Sequence, residues 1–120
     1  MRFSLKTKIS TPKYQQTRRF FETVFGMSVV EEWDDRGDVG VILSLPDGRG
    51  EAYLEVYLAE QEAPFEGLSL QFCVDSIAAF QSSLPKDVNY EGPTARPWGS
   101  TYLYLRDPNN IQIIVYEGGL

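Results

Sequence analysis

The sequence predicts an α+β fold built from two copies of a βαβββ unit. Strand-like runs outnumber helical ones, and in each half a helical stripe follows the first strand. Turn-forming sequences also recur at equivalent places in the two halves, at residues 45–48 and 105–108. A chain of 120 residues suits a single domain. Within that domain we place module one at about 1–60, a linker at about 61–67 and module two at about 68–120.

The elements of the first half follow from its apolar pattern and its turn residues. Residues 2–10 alternate between apolar and polar side chains, which predicts a strand. Thr11 and Pro12 then supply an N-cap and a first helical position, and Gly26 is suited to end the helix. The apolar stripe of this helix is Tyr14, Thr17, Phe21, Val24 and Phe25. The remaining elements are strands at 27–33, 39–45 and 52–58, separated by turns at 34–37 and 46–50.

The second half repeats this order in a shorter form. A strand is predicted at 68–74, and Asp75 can cap the helix that follows it. The apolar face of that helix is Ile77, Phe80 and Leu84. The later strands are a weak one at 88–90 and strong ones at 101–106 and 111–116.

Charge and composition exclude several classes of function. The net charge is −6, which argues against a nucleic-acid binder because such proteins need a basic surface. No apolar run approaches the length of a membrane span, so we expect no membrane partner and a cytoplasmic protein. The single cysteine, Cys73, lies in an apolar strand, which predicts a buried and unreactive thiol.

Two segments of the chain resemble a known superfamily. Residues 20–27 (FFETVFGM) and 98–110 (WGSTYLYLRDPNN) are similar to segments of the vicinal oxygen chelate proteins, which include glyoxalases, extradiol dioxygenases and bleomycin-resistance proteins. The resemblance implies that the two modules form a curled mixed sheet around a concave cup, with the helices on the outside. The segment 96–99 (RPWG) is closest to the bleomycin-resistance branch, which implies a homodimer that sequesters a cationic ligand.

The resemblance also bears on a metal site. Enzymes of this superfamily hold a divalent metal with His and Glu, and by spacing their four ligand positions fall on Lys6, Glu55, Ser69 and Ile114. The chain contains no histidine, and of these four side chains only Glu55 is a good metal ligand. We therefore expect neither a metal nor another cofactor. If Lys6 and Glu55 both face the cup, their ion pair could occupy the place of a metal; otherwise each extends into water.

Strand alternation predicts what lines the cup instead. Tyr53 and Tyr57 share a strand face with Glu55, and Tyr102 and Tyr104 lie on the cup side of module two. Trp33 and Trp98 add to the rim of the cup. Tyrosine rings suit planar or cationic ligands, although they could also fill a closed interior or a dimer seam. The predicted ligand-binding residues are Lys6, Trp33, Tyr53, Glu55, Tyr57, Ser69, Trp98, Tyr102, Tyr104 and Ile114.

Three functions are compatible with this pattern. The first is a metal-free protein that binds a small organic ligand, cationic or aromatic, with antibiotic sequestration as one example. The second is a metal-independent isomerase or lyase with Glu55 as the general base and Lys6 or a tyrosine as the acid. The third is a dimeric regulatory module whose cup is vestigial. The loss of the metal ligands favours a protein that is not an enzyme.

Overall fold

The α+β fold with two βαβββ modules is confirmed. The computed structural model describes residues 1–46 and 52–119, and the chain divides into two compact units, Met1–Pro64 and Phe65–Leu120. Each unit carries one helix and one four-stranded mixed sheet. The elements of unit one are β1 (Leu5–Thr11), α1 (Tyr14–Val24), β2 (Ser28–Asp35), β3 (Asp38–Ser44) and β4 (Ala52–Leu58). Those of unit two are β5 (Ser69–Cys73), α2 (Ile77–Ser83), β6 (Glu91–Ala95), β7 (Thr101–Arg106) and β8 (Gln112–Glu117).

The two sheets have the same topology. The strand order is β1-β4-β3-β2 in unit one and β5-β8-β7-β6 in unit two. In each sheet the first strand of the unit pairs in parallel with the last, and the other neighbours are antiparallel. The register places Lys8 beside Glu55 in unit one and Gln71 beside Ile114 in unit two.

Helix α1 covers one face of the first sheet. Its buried side chains are Tyr14, Thr17, Phe21 and Val24, four of the five residues of the predicted stripe. They pack against β3 and β4, where Val41, Leu43, Leu54 and Val56 are buried. The helix is followed by Gly26 at φ +64°, a conformation that glycine adopts without the strain of a Cβ atom.

The predicted start of α1 is wrong by two residues. Lys13 is the N-cap residue, and the helix begins at Tyr14 instead of Pro12. Thr11 still belongs to β1, where it pairs with Leu58. Its side-chain oxygen accepts a hydrogen bond from the Lys13 N–H at 2.9 Å. The Thr–Pro sequence therefore forms the turn that precedes the helix.

Helix α2 is capped by Ser76, not by Asp75 as the sequence predicted. The Ser76 hydroxyl accepts a hydrogen bond from the Ala79 N–H at 3.1 Å. Another free N–H of the first turn, that of Ile77, donates to the Glu117 carboxylate at 2.8 Å. Asp75 lies one residue before the N-cap position, and the Ile77 N–H, two residues after it, is already bonded to Glu117.

Two further predictions for unit two are corrected. The weak strand expected at 88–90 lies instead at Glu91–Ala95, because the Val88 N–H bonds Pro85 in a turn after α2. Cys73 is exposed rather than buried, since it ends the edge strand β5 on the face directed away from α2.

The strand predicted at 2–10 begins three residues later, at Leu5, and ends at Thr11. The bounds of β2, β3, β5 and β8 differ from the predicted ones by one or two residues, and β4 and β7 have the predicted bounds. The predicted turn at 46–50 lies, beyond Pro46, outside the described residues. Within residues 1–46 and 52–119, no helix is both long enough and apolar enough to cross a bilayer. The curling of the two sheets around one cup remains a prediction.

The two candidate caps of α2 can be separated by mutation. We expect Ser76→Ala to lower the free energy of unfolding by about 1 kcal/mol, because the Ala79 N–H loses its acceptor. The matched control Asp75→Ala should change it by less than about 0.5 kcal/mol, because Asp75 is exposed and has no hydrogen bond or ion pair within residues 1–46 and 52–119. Urea unfolding of both variants measures the difference, and a larger loss for Asp75→Ala would contradict the assignment.

Candidate functional site

The centre of the site in unit one is a carboxylate held by two lysines. We call the face of each sheet that is directed away from its helix the open face. On the open face of unit one, the Lys6 ammonium lies 3.4 Å from one Glu55 oxygen, and the Lys8 ammonium lies 3.8 Å from the other. The Glu55 side chain is only 10% exposed, whereas both lysines are half exposed. A carboxylate taken out of water in this way needs compensating positive charge, which the two lysines supply.

The structure thus brings together Lys6 and Glu55, which the sequence had proposed as a pair, and adds Lys8. Lys8 is the direct neighbour of Glu55 across the β1–β4 pairing. Its two-residue spacing from Lys6 places both on one strand face, which the alternation of residues 2–10 already indicated. The transfer of family ligand positions drew attention to one residue of that strand, so the second lysine was missed.

A second group of the open face is organised by Asp38, which is not among the predicted ligand-binding residues. Its carboxylate accepts a hydrogen bond from the Trp33 indole N–H at 3.0 Å. A hydrogen bond with Asp38, together with its negative charge, raises the pKa of Tyr57 above the ordinary value of 10.0. Tyr57 also contacts Lys8, whose ammonium lies over the Tyr57 ring, 4.4 Å from the ring centroid. Tyr57 therefore links the Glu55 group to the Trp33 group.

The position of Trp33 depends on a glycine opposite it. Gly40 on β3 pairs with Trp33 on one side and with Tyr57 on the other. A Cβ atom at residue 40 would lie 2.2 Å from the indole Cζ2, so the ring lies directly against the glycine backbone. Tyr53, the third predicted aromatic residue of this face, is half-buried and in register with Lys6.

The open face of unit two carries a cluster of aromatic rings around Tyr102. Its ring centroid lies 5.7 Å from that of Trp98 and 5.9 Å from those of both Tyr104 and Tyr116. These distances and the inclined ring planes are typical of favourable aromatic pairs. The Arg96 guanidinium lies 4.9 Å from the Trp98 ring and 5.9 Å from the Tyr102 ring. Neither Arg96 nor Tyr116 was among the predicted ligand-binding residues.

Cys73 and Tyr116 are neighbours on this face. They are directly paired across β5 and β8. Burial, followed by the contact with Cys73, raises the pKa of the Tyr116 hydroxyl above its ordinary value. The exposed thiol thus has a phenol as its partner. The raised pKa keeps the Tyr116 hydroxyl protonated at neutral pH.

The last two predicted residues, Ser69 and Ile114, lie on the same open face but are not direct partners. Ser69 is in register with Gln112, and Ile114 with Gln71. Ile114 is buried. The Ser69 hydroxyl oxygen is buried and has no hydrogen-bond partner in the described part of the chain.

The residues at the four family ligand positions do not fit a divalent metal. Both Glu55 oxygens already contact ammonium groups, and Lys6 would repel a cation. Ile114 has no donor atom, and Ser69 has only a neutral oxygen. No group of three or more His, Cys, Asp or Glu side chains in residues 1–46 and 52–119 could hold a metal ion. Glu51, which directly precedes the strand predicted at 52–58, lies outside those ranges.

Comparison with known proteins establishes the family. Residues 5–115 match the Glyoxalase/Bleomycin resistance protein/Dioxygenase superfamily. Because the match covers most of the chain, the protein belongs to this superfamily, as the sequence resemblance indicated. No curated protein matches the chain.

Solved structures share the fold at low sequence identity. TnmS3, an antibiotic binding protein from Streptomyces sp. CB03234, is 17% identical with a TM-score of 0.76, and the match covers 99% of each chain. Fosfomycin resistance protein FosX from Mesorhizobium loti is 16% identical with a TM-score of 0.72, covering 100% of this chain and 94% of that one. Lactoylglutathione lyase from Agrobacterium tumefaciens is 19% identical with a TM-score of 0.69, covering 95% and 92%.

The contact between Trp33 and Gly40 predicts the effect of one added methyl group. Gly40→Ala should displace the indole, break its bond with Asp38 and lower the free energy of unfolding by about 1–3 kcal/mol. In a Trp98→Phe background, the fluorescence of Trp33 should shift to longer wavelength. Gly119→Ala is the matched control, because a Cβ atom there meets nothing within 4 Å. Unchanged emission and stability in Gly40→Ala would show that the indole does not lie against this glycine.

The bond between Tyr57 and Asp38 predicts a titration. Tyr57 should ionise above its ordinary pKa of 10.0, since the Asp38 carboxylate disfavours the phenolate. Asp38→Asn should lower the pKa of Tyr57 towards that value. The raised pKa contributes stability below the pKa of the unfolded state, and this contribution is lost as pH rises through the folded pKa. NMR of labelled tyrosine rings measures the shift. A Tyr57 pKa that is the same in both proteins would contradict the contact.

Proposed function

We propose that this protein binds a small organic ligand on its tyrosine-rich open faces without using a metal. The observation that carries the proposal is the solvent exposure of the aromatic side chains on these faces. Tyr53, Tyr57, Tyr102 and Tyr104 are only half-buried, and Trp98 is 51% exposed. Rings that filled a closed core would be shielded completely, whereas rings that receive a ligand keep accessible surface. All ten predicted ligand-binding residues are candidates for this surface.

The comparisons support a role in antibiotic binding as the first candidate. TnmS3 is an antibiotic binding protein and FosX is a fosfomycin resistance protein, and the fold of this chain matches both over nearly its whole length. Sequestration requires only binding, so no catalytic group is needed on the open faces. A homodimeric state and a cytoplasmic location remain predictions from the sequence.

The metal-independent enzyme is the second candidate, because the buried Glu55 carboxylate and the half-exposed Lys6 ammonium form an acid–base pair. A carboxylate and an ammonium 3.4 Å apart are a suitable base and acid for proton exchange with a bound substrate. Each Glu55 oxygen, however, already contacts an ammonium. This arrangement is suited to fixing the carboxylate rather than to presenting a free oxygen. We therefore favour the binding function.

The binding function is tested first by thermal unfolding with a bleomycin-class glycopeptide, added both metal-free and metal-loaded. At 100 times its dissociation constant a ligand should stabilise the protein by about 2.7 kcal/mol, a shift of about 10 °C for a domain of this size. A saturable shift supports sequestration. No shift would overturn this ligand class, and a broad panel of metabolites would then test the general binding function.

Substitution of Glu55 separates the binding protein from the enzyme. Glu55→Gln keeps the shape of the side chain but leaves the two lysines without their carboxylate. A binding protein should lose affinity several-fold, whereas an enzyme that uses this base should lose most of its turnover. Glu60→Gln, which removes an equal charge from an exposed position of the same unit, is the control. Loss of turnover with unchanged affinity for Glu55→Gln alone would favour the enzyme.

A further inference from the structure

The Arg96 side chain in unit two has no hydrogen-bond acceptor or acidic partner among the described residues, although part of its guanidinium is buried. Arg96 precedes Trp98 in the connection between β6 and β7. Its guanidinium makes no hydrogen bond or ion pair with any residue in 1–46 or 52–119, and its Nε atom is buried without an acceptor. A buried charged donor without an acceptor is costly. Acidic residues are not scarce, since the chain has 17 against 11 basic ones. Arg18, in unit one, pairs with both Glu22 and Glu32.

The connection that carries Arg96 is held in place at both ends. The Arg96 N–H donates to the Ser100 carbonyl at 2.7 Å, and the Gly99 N–H donates to the Arg96 carbonyl at 3.0 Å. Ser100 is buried, and its hydroxyl donates to the Gly119 carbonyl. The backbone around Arg96 is therefore fixed, and its side chain lies against the Trp98 and Tyr102 rings instead of extending into water.

We infer that Arg96, Trp98 and Tyr102 form a subsite for the acidic group of a planar aromatic ligand, such as an aromatic carboxylate, sulfonate or phenolate. The guanidinium supplies charged donors, and contact with the two rings orients its plane. An oxygen anion bound there gains charge-assisted hydrogen bonds. The partly exposed Trp98 offers ring surface to the aromatic part of the same ligand. The inference rests on the proposed binding function and names a ligand charge opposite to the cationic one that the sequence suggested.

The test uses two fluorescent probes that differ only in the acidic group. They are 1-anilinonaphthalene-8-sulfonate and the neutral N-phenyl-1-naphthylamine. The native protein should bind the sulfonate at least about tenfold more tightly, since a hydrogen bond to a charged group contributes this much or more. Arg96→Gln should remove that preference and leave the affinity for the neutral probe within about twofold. Arg96→Lys, which keeps the charge but not the planar donors, should lie between the two.

Two controls make the outcome specific. Lys86→Gln removes the same charge from an exposed position of unit two, beyond α2, and should change neither affinity. Thermal unfolding of each variant checks that the fold is intact. Equal affinity for both probes, or a sulfonate affinity that Arg96→Gln does not change, would overturn the subsite but leave the binding function standing. Failure of both probes, of the glycopeptide and of the metabolite panel to bind saturably would overturn both.

Discussion

The parallel pairing of the first and last strand of each unit determines the rest of the structure. Parallel neighbours cannot be joined by a tight turn, so a long connection must lie between them, and in each unit it contains a helix and two further strands. In unit one this pairing places Lys6 and Lys8 beside Glu55. The carboxylate lies near the middle of β4, where solvent is largely excluded, and it is compatible with burial because β1 delivers two cations to it. The charge pattern of the open face is thus a result of strand order.

Net charge does not describe the local chemistry of these faces. The overall charge of −6 is compatible with a cationic ligand, which the resemblance to the bleomycin-resistance branch implied. Yet Glu55 is already balanced by lysines, and Arg96 lies among the rings of unit two without an acidic partner in the described ranges. The acidic residues Glu22 and Glu32 pair with Arg18, and the largest effect on the pKa of Arg18 is an upward shift caused by Glu22. Charges that are paired locally contribute little to the electrostatic potential at a distant ligand.

The sequence predicted what depends on alternation and missed what depends on single contacts. Strands β4 and β7 have the predicted bounds, since tyrosine or charged residues alternate with apolar ones from Ala52 to Leu58 and from Tyr102 to Arg106. The cap of α2 was misplaced because Asp75 and Ser76 are both good caps, and only the backbone geometry distinguishes them. Asp38 and Arg96 were missed for a related reason. Their importance lies in contacts with Trp33, Tyr57, Trp98 and Tyr102, which no local pattern encodes.

The closure of each strand ladder within its own unit has a consequence for biosynthesis. The partners of β1, β2, β3 and β4 all lie before the second unit begins, so the first sheet can assemble while the ribosome is still producing the later residues. The slowest step of that assembly should be the closure between β1 and β4, the pair farthest apart along the chain in unit one. A nascent chain that has emerged from the ribosome as far as Pro64 already contains Lys6 and Lys8, the two cations that contact Glu55. Synthesis from the N-terminus would therefore not leave this carboxylate buried and unpaired.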